Sequence, residues 1–297
     1  MNFLIIGHSV VDKIKDKGLV SIKPGGIFYT VASLLSQLQN DEKLYLCSEI
    51  DEKNENLFKE LYNLVEKEYL RFIDSIPKVE LIIENISERK ETYSQISRNL
   101  TLPRNNLNRF DGILVNMISG YDISLTQIQK LREKYDGLIY FDVHTLSRGV
   151  DENLNRNFRR IENFNKWGEC IDILQANESE LLTLSDKKDE VQTIEELFIC
   201  GVKQVIITRA ERGATVFFRE NDRIIKYHKD ALQVNLINKV GCGDVFGAVY
   251  FYNFIKNKNV TLAIEQANLF AGISTTYSDI KDFLNLKRDA DKQIGKK

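Results

Sequence analysis

This chain has little of what marks disulfide-stapled, metal-stapled or repetitive proteins. Its 297 residues include four cysteines, at positions 47, 170, 200 and 242, with no Cys-x-x-Cys pair and no histidine at ligand spacing. A disulfide framework or zinc site is therefore not expected. Three prolines, no low-complexity stretch and no internal repeat argue against a rigid linker or a repeat array. Neither charge is in excess: 41 basic residues are interspersed with 43 acidic ones, for a net charge of −2. No basic face points to nucleic acid, and no acidic tail points to a solvating arm. No apolar run approaches the roughly 20 residues of a membrane helix, and Met1–Gly7 lacks the flanks of a signal peptide. These absences predict a soluble, cytoplasmic protein without nucleic-acid or membrane partners.

Apolar residues make up 43% of the chain, enough for a sizeable core. Short apolar runs read as strands at Phe3–Ile6, Leu44–Cys47, Gly112–Met117, Leu138–Asp142, Ile171–Gln175, Val205–Thr208 and Thr215–Phe218. Between them lie amphipathic stretches that read as helices, at Ile27–Leu38, Asn56–Glu66, Ser124–Tyr135, Ile194–Cys200, Val245–Ile255 and Leu262–Thr276. The alternation predicts an α/β fold with a mostly parallel central sheet and helices on both faces. One region differs. Lys78–Asn85 and Glu91–Ser97 read as extended, joined by the charged connection Ser87–Lys90, with a period of two in the first. Together with the segment after Ile14 they would form a small projecting sheet, either an ordinary edge hairpin or a flap that closes over a site. The tail from Lys281 reads as a solvated end.

The most informative stretch is Val240-Gly241-Cys242-Gly243-Asp244, followed at once by an apolar helix pattern. Glycines can turn backbone N–H groups toward one point, and the helix behind adds its positive dipole end. That suits an anion. An acid beside an anion needs another task, and accepting a proton from a nucleophilic hydroxyl is one; capping the helix is the plainer alternative. Cys242 reads as a small residue filling an alanine-like slot, or as a thiol activated by the helix end. Other features fall in order: Asp12 follows the first strand, Pro24-Gly25-Gly26 precedes a helix, and Asn177-Glu178-Ser179-Glu180 and Thr208-Arg209-Ala210-Glu211-Arg212-Gly213 sit just past strands. In a parallel sheet the C-terminal ends of strands form one rim, where ligands bind.

From Gly7 to about Tyr277, the order of these motifs resembles the ribokinase-like carbohydrate kinases, of the phosphofructokinase B type. That family has an early Asp, Gly-Gly followed by Asn, Asn-x-x-Glu, Thr-x-Gly-x-x-Gly, and Asp-Thr-x-Gly-Ala-Gly-Asp. The resemblance implies a three-layer sandwich with a small β-sheet lid. It makes residues 1–297 a single kinase domain, with lid segments near 13–24 and 76–102. It implies phosphoryl transfer from ATP to a hydroxyl of a sugar or sugar-like acceptor, with Mg2+. In that scheme Asp244 is the base, and Gly241, Cys242, Gly243 and Asp244 form the anion hole. Asp12, Gly25, Gly26 and Thr30 would face the acceptor. Asn177, Thr208, Gly213, Asn238, Lys239 and Asn268 would face the nucleotide, and Glu180 with Asn177 the metal. Without the resemblance, Asn177 could equally be a helix cap, Glu180 a dipole partner and Gly213 a turn glycine. An exposed flap often finds a second copy in that family, so the lid is the expected homodimer surface.

Several residues depart from the family pattern. Thr30 stands where the family has Asn, and Ala210 where it has Gly. Asn238-Lys239 stand for Asp-Thr, so Lys239 could take over the charge of a bound monovalent cation. Phe28 and Tyr29 bring aromatic bulk near Gly25 and Gly26, for stacking a ring or packing the core. Asp142, His144 and Arg148 match another family segment loosely. Two alternatives stay open: a nucleoside or vitamin-precursor kinase of the same fold, and a silent relative that only binds a ligand.

Overall fold

The computed structural model describes every residue except 17, 84–89, 188, 222 and 296–297. The end of the first extended segment and most of the connection Ser87–Lys90 lie outside the described residues. The chain opens with β1 (Asn2–Ile6), β2 (Ser9–Asp16), β3 (Leu19–Gly26), α1 (Phe28–Leu35), β4 (Lys43–Ile50), α2 (Glu55–Tyr62), β5 (Leu70–Phe72), β6 (Lys78–Ile83) and β7 (Lys90–Gln95). It continues through β8 (Gly112–Asn116), α3 (Leu125–Arg132), β9 (Leu138–Asp142), β10 (Arg148–Val150), β11 (Arg156–Phe158), α4 (Phe164–Gly168), β12 (Ile173–Asn177) and α5 (Glu178–Leu181). The last elements are α6 (Glu190–Ile199), β13 (Gln204–Thr208), β14 (Ala214–Glu220), β15 (Arg223–Lys229), α7 (Cys242–Asn257), α8 (Val260–Ser274) and α9 (Leu286–Ile294).

Among the described residues, nine strands form the central sheet in the order β15-β14-β13-β12-β9-β8-β1-β4-β5. Pairing is parallel from β13 to β5, while the β13–β14 and β14–β15 pairs are antiparallel, so that β14 alone runs against the other strands. Successive side chains of a strand point to opposite faces, and β1 shows the consequence. Phe3 and Ile5 enter one core, with α1, α2, α7 and α8; Leu4 and Ile6 enter the other, with α3, α4 and α6. A sheet covered on both faces needs near-continuous apolar strands, which is why Phe-Leu-Ile-Ile and Leu-Ile-Tyr-Phe were readable. The expected three-layer α/β architecture is the one found.

A second, four-stranded sheet has the order β3-β2-β6-β7. The sequence pattern located β6 and β7 but not the full length of β2 and β3, whose register runs from Ser9↔Gly26 to Asp16↔Leu19. The tail also differs from expectation. Residues 280–294 are helical, and Phe283, Leu286 and Ala290 are buried, because their apolar side chains recur on one face that docks on α1 and α8.

Two contacts fix the small sheet. Where β1 passes into β2, the buried His8 backbone N–H donates to Asp122 Oδ1 at 2.7 Å, and its Nδ1 lies 2.7 Å from Ser119 Oγ. At the far edge, β10 and β11 rise from the core, and Arg156 donates to Glu91 Oε2 at 2.5 Å, stacks over the Tyr93 ring and donates to its hydroxyl. Side chains of Arg156 and Glu91 are 6% and 5% exposed. Removing one partner of a pair this buried is strongly destabilising. Arg156→Met should cost about 3 kcal/mol of unfolding free energy in urea, the lower end for such pairs because Arg148 stays 3.7 Å from Glu91. A loss under about 0.5 kcal/mol would make the contact no better than a surface ion pair.

Candidate active site

The C-terminal ends of β8, β9, β12 and β13 and the N-terminus of α7 surround a cavity of about 610 Å³ under the inner face of the small sheet. It is lined by Asp12, Gly26, Asn177, Glu180, Thr208, Gly213, Lys239, Gly241, Cys242, Gly243, Asp244 and Asn268, which come from all parts of the chain. Gly25, Thr30 and Asn238 are not on its surface. Each has a local task instead. Any Cβ at position 25 would collide with the Asp12 carboxylate. Thr30 is fully buried and accepts from Asn116 Nδ2 at 3.2 Å. Asn238 Oδ1 accepts from the Val240 N–H at 3.0 Å, shaping the approach to α7.

The two glycines of the motif differ. Gly241 caps α7 with φ +80°, and a Cβ there would strike the Tyr29 ring. Gly243 lies in the first turn of the helix, with open space where its Cβ would be. Only Gly241 needs the conformational freedom of glycine. Gly243 leaves the cavity wall bare instead. Side chains from the sheet pin this turn: Gln175 Nε2 donates to the Gly243 carbonyl at 3.1 Å, and Asn116 Nδ2 donates to Asp244 Oδ1 at 2.7 Å.

A cluster of acids lies beside it. Gln175 Nε2 also donates to Asp142 Oδ2 at 2.8 Å. Burial, with Glu180 and Asp244 nearby, pushes the Asp142 carboxyl well above the usual carboxylate range. Burial alone would lower the pKa of His144, but Glu180, Asp142 and Asp244 outweigh it and raise it. Asn177 and Glu180 form a capping box on α5: Asn177 Oδ1 accepts from the Glu180 N–H at 2.9 Å, and Glu180 Oε2 from the Asn177 N–H at 2.8 Å. The cap engages that Asn177 oxygen and one Glu180 oxygen. Glu180 Oε1 remains, buried, with no hydrogen bond and 3.7 Å from His144 Nδ1. A hard oxygen donor of this kind fits a magnesium ion held by one carboxylate, water and phosphate oxygens. No group of three or more His, Cys, Asp or Glu among the described residues could hold a metal by itself.

At the other end, Val10, Val79, Leu81, Ile118 and Phe158 give the cavity apolar walls around Asp12, Glu91, Arg148 and Arg156. Of the two aromatics singled out in the sequence, Tyr29 lines the cavity, with its ring packed on Gly241 and Phe283. Phe28 packs on Phe58 in the core. Asn116, Gln175, Glu91 and Arg156 gave no sequence signal, because the contacts Asn116–Asp244, Gln175–Gly243 and Arg156–Glu91 span 128, 68 and 65 residues.

Comparison with known proteins gives a family match for part of the chain and a fold match for nearly all of it. Residues 148–284 fit the family model of the pfkB family carbohydrate kinases. A deoxyribokinase of Salmonella typhi is 28% identical over 110 residues, 35% of each chain. The chain thus matches about a third of the length of its curated relatives. Among solved structures, a putative ribokinase II of E. coli in complex with ATP and Mg2+ superposes with a TM-score of 0.75, at 16% identity over 100% of this chain and 99% of that one. A pyrophosphate-dependent kinase in the ribokinase family, complexed with a pyrophosphate analog and myo-inositol, gives 0.73 at 18% identity over 93% and 95%. Aminoimidazole riboside kinase of Salmonella enterica gives 0.73 at 17% over 98% and 99%. The ribokinase-like carbohydrate kinase resemblance read from the sequence is borne out: the fold is ribokinase-like throughout, and the second half carries the pfkB family pattern.

The contrast between the two glycines can be tested. Gly243→Ala should leave the protein as stable as the parent, or up to about 1 kcal/mol more stable through helix propensity, while weakening ATP binding in calorimetry. Gly241→Ala should destabilise by roughly 1–3 kcal/mol from backbone strain. Parental ATP affinity in Gly243→Ala would mean that no ligand approaches the bare wall.

Proposed function

We propose that this protein transfers a phosphoryl group from ATP to a hydroxyl of a sugar or sugar-like acceptor. The observation that carries the reading is the Asp244 carboxylate in the first turn of α7, inside the cavity and held by Asn116. The donor phosphates lie against the N-terminus of α7, where the helix dipole and the backbone N–H groups of Gly241–Asp244 face the developing charge. The acceptor lies under the small sheet, which acts as the lid, with hydroxyls toward Asp12 and Gly26. Asp244 takes the proton of the attacking hydroxyl. Thr208 and Gly213 border the nucleotide, and Asn268 stands at its far end, its amide donating to the Lys229 carbonyl at 3.3 Å. Glu180 would hold Mg2+ through Oε1, and the ion would neutralise phosphate charge. Lys239 is exposed at the cavity rim and supplies positive charge where a monovalent cation would otherwise act.

Tyr29 supports a sugar over a nucleoside or vitamin precursor as acceptor, since it is 4% exposed and its ring packs against Gly241 and Phe283. For assembly, we infer a homodimer through the lid, whose β3 strand exposes Leu19, Val20 and Ile22.

The test is a panel of sugars, sugar acids, polyols and nucleosides assayed for ATP-dependent phosphorylation, with Asp244→Asn as the blank. A general base contributes about 10²–10⁴-fold. Asp244→Asn should lose turnover in that range while binding ATP nearly as the parent does. Turnover within threefold of the parent would remove Asp244 from the mechanism.

A further inference from the structure

Asp244 does not set its own orientation. Asn116, the last residue of β8, is 1% exposed and gives both hydrogens of its amide to the site. One goes to Asp244 Oδ1 at 2.7 Å and the other to Thr30 Oγ1 at 3.2 Å. The amide cannot be turned over, because its oxygen would then face a carboxylate. That oxygen, buried, accepts no hydrogen bond. A buried amide tolerates such an orphan only where its other end is strongly held, and a charge-assisted bond to a carboxylate is of that strength.

The partner on the other side is informative. Thr30 lies on α1 at the position where the resembled family has Asn after its glycine pair. Here that side chain is fully buried and off the cavity surface, and its hydroxyl meets the amide of Asn116. The amide absent from the helix is present on the strand. We propose that Asn116 is the positioning residue for proton transfer: it fixes the plane of the Asp244 carboxylate against the acceptor hydroxyl, with Thr30 as its anchor. The proposal rests on the reading of Asp244 as the base. It adds a residue outside every motif of the chain.

Holding one carboxylate oxygen matters in two ways. It orients the other oxygen, and a misplacement of about 1 Å at a reacting group can cost roughly 10²-fold in rate. It also stabilises the ionised form, the form that can accept a proton. Neither effect touches binding of donor or acceptor, so the loss should fall on kcat.

The experiment uses Asn116→Leu, which keeps the branched shape and leaves no orphaned amide oxygen, and Asn116→Thr with and without Thr30→Asn. Far-UV circular dichroism checks the fold. With an acceptor from the panel above, Asn116→Leu and Asn116→Thr should each lose about 10²-fold in kcat. The KM values for ATP and acceptor should stay within threefold. Adding Thr30→Asn to Asn116→Thr returns an amide to the site from the helix side and should recover at least tenfold. A kcat within threefold of the parent in Asn116→Leu, a loss confined to KM, or no recovery in the double variant overturns the proposal. A crystal structure of Asn116→Leu gives a readout free of activity: the Asp244 carboxylate should lose its single orientation, and an unchanged carboxylate also overturns the proposal. If the parent phosphorylates nothing in the panel, the kinase reading fails, and the crystal structure still decides whether Asn116 positions Asp244.

Discussion

The attachment of the first turn of α7 to the rim of the sheet is the constraint on which the site depends. Helix N-termini attract anions, but an unanchored one frays and cannot aim its N–H groups. Here Gly241 turns the chain through a left-handed residue over the Tyr29 ring, and Gln175 and Asn116 reach up from β12 and β8 to hold Gly243 and Asp244. Tyr140 donates to Gln175 Oε1 at 2.5 Å, so that amide is itself fixed from the next strand. Behind the turn, Phe246, Tyr250 and Phe254 stack along α7 at a spacing of four residues. The helix is therefore rigid along its length and positioned at its start. Such preorganisation is what electrostatic stabilisation of a transition state requires.

The opposite wall of the cavity is built differently. The small sheet reaches the core through the buried His8–Asp122 junction at one side and the Arg156–Glu91 contact at the other. Its inner face offers mainly apolar side chains around Asp12, a surface that can exclude water. A rigid helix terminus facing a separately tethered sheet gives the cavity two unlike ends. One is suited to phosphate, the other to a small polar molecule with an apolar side.

Much of this was legible in the sequence because parallel strands covered on both faces must be apolar throughout. Leu138–Asp142 was bounded as it stands in the structure. Gly112–Met117 ran one residue beyond β8. Ile171–Gln175 was displaced by two residues from β12, because Ile171 is buried before the strand begins. The small sheet was harder to read. β2 pairs in parallel with β6 more than sixty residues on, and Lys13, Lys15 and Lys23 interrupt the apolar pattern of its strands. β15 was missed because it is an exposed edge strand. In the site, the motif residues marked the rim, but not the residues that hold them. Asn116 looks like any strand-end asparagine until its contact with Asp244, 128 residues away, is seen. The tail was misread because its buried positions fall among charged ones, and only their spacing shows the face that docks.

The central claim, that phosphate binds at the N-terminus of α7, can be measured without knowing the acceptor. Cys242 is the first residue of that helix and lines the cavity, while Cys200 is partly exposed on the C-cap of α6, away from it. Peptide-resolved mass spectrometry can follow alkylation of both thiols, with and without ATP and Mg2+. With ATP at ten times its Kd, mass action predicts about tenfold slower alkylation of Cys242 and no change at Cys200. Alkylation of Cys242 at the same rate under saturating ATP would contradict the account.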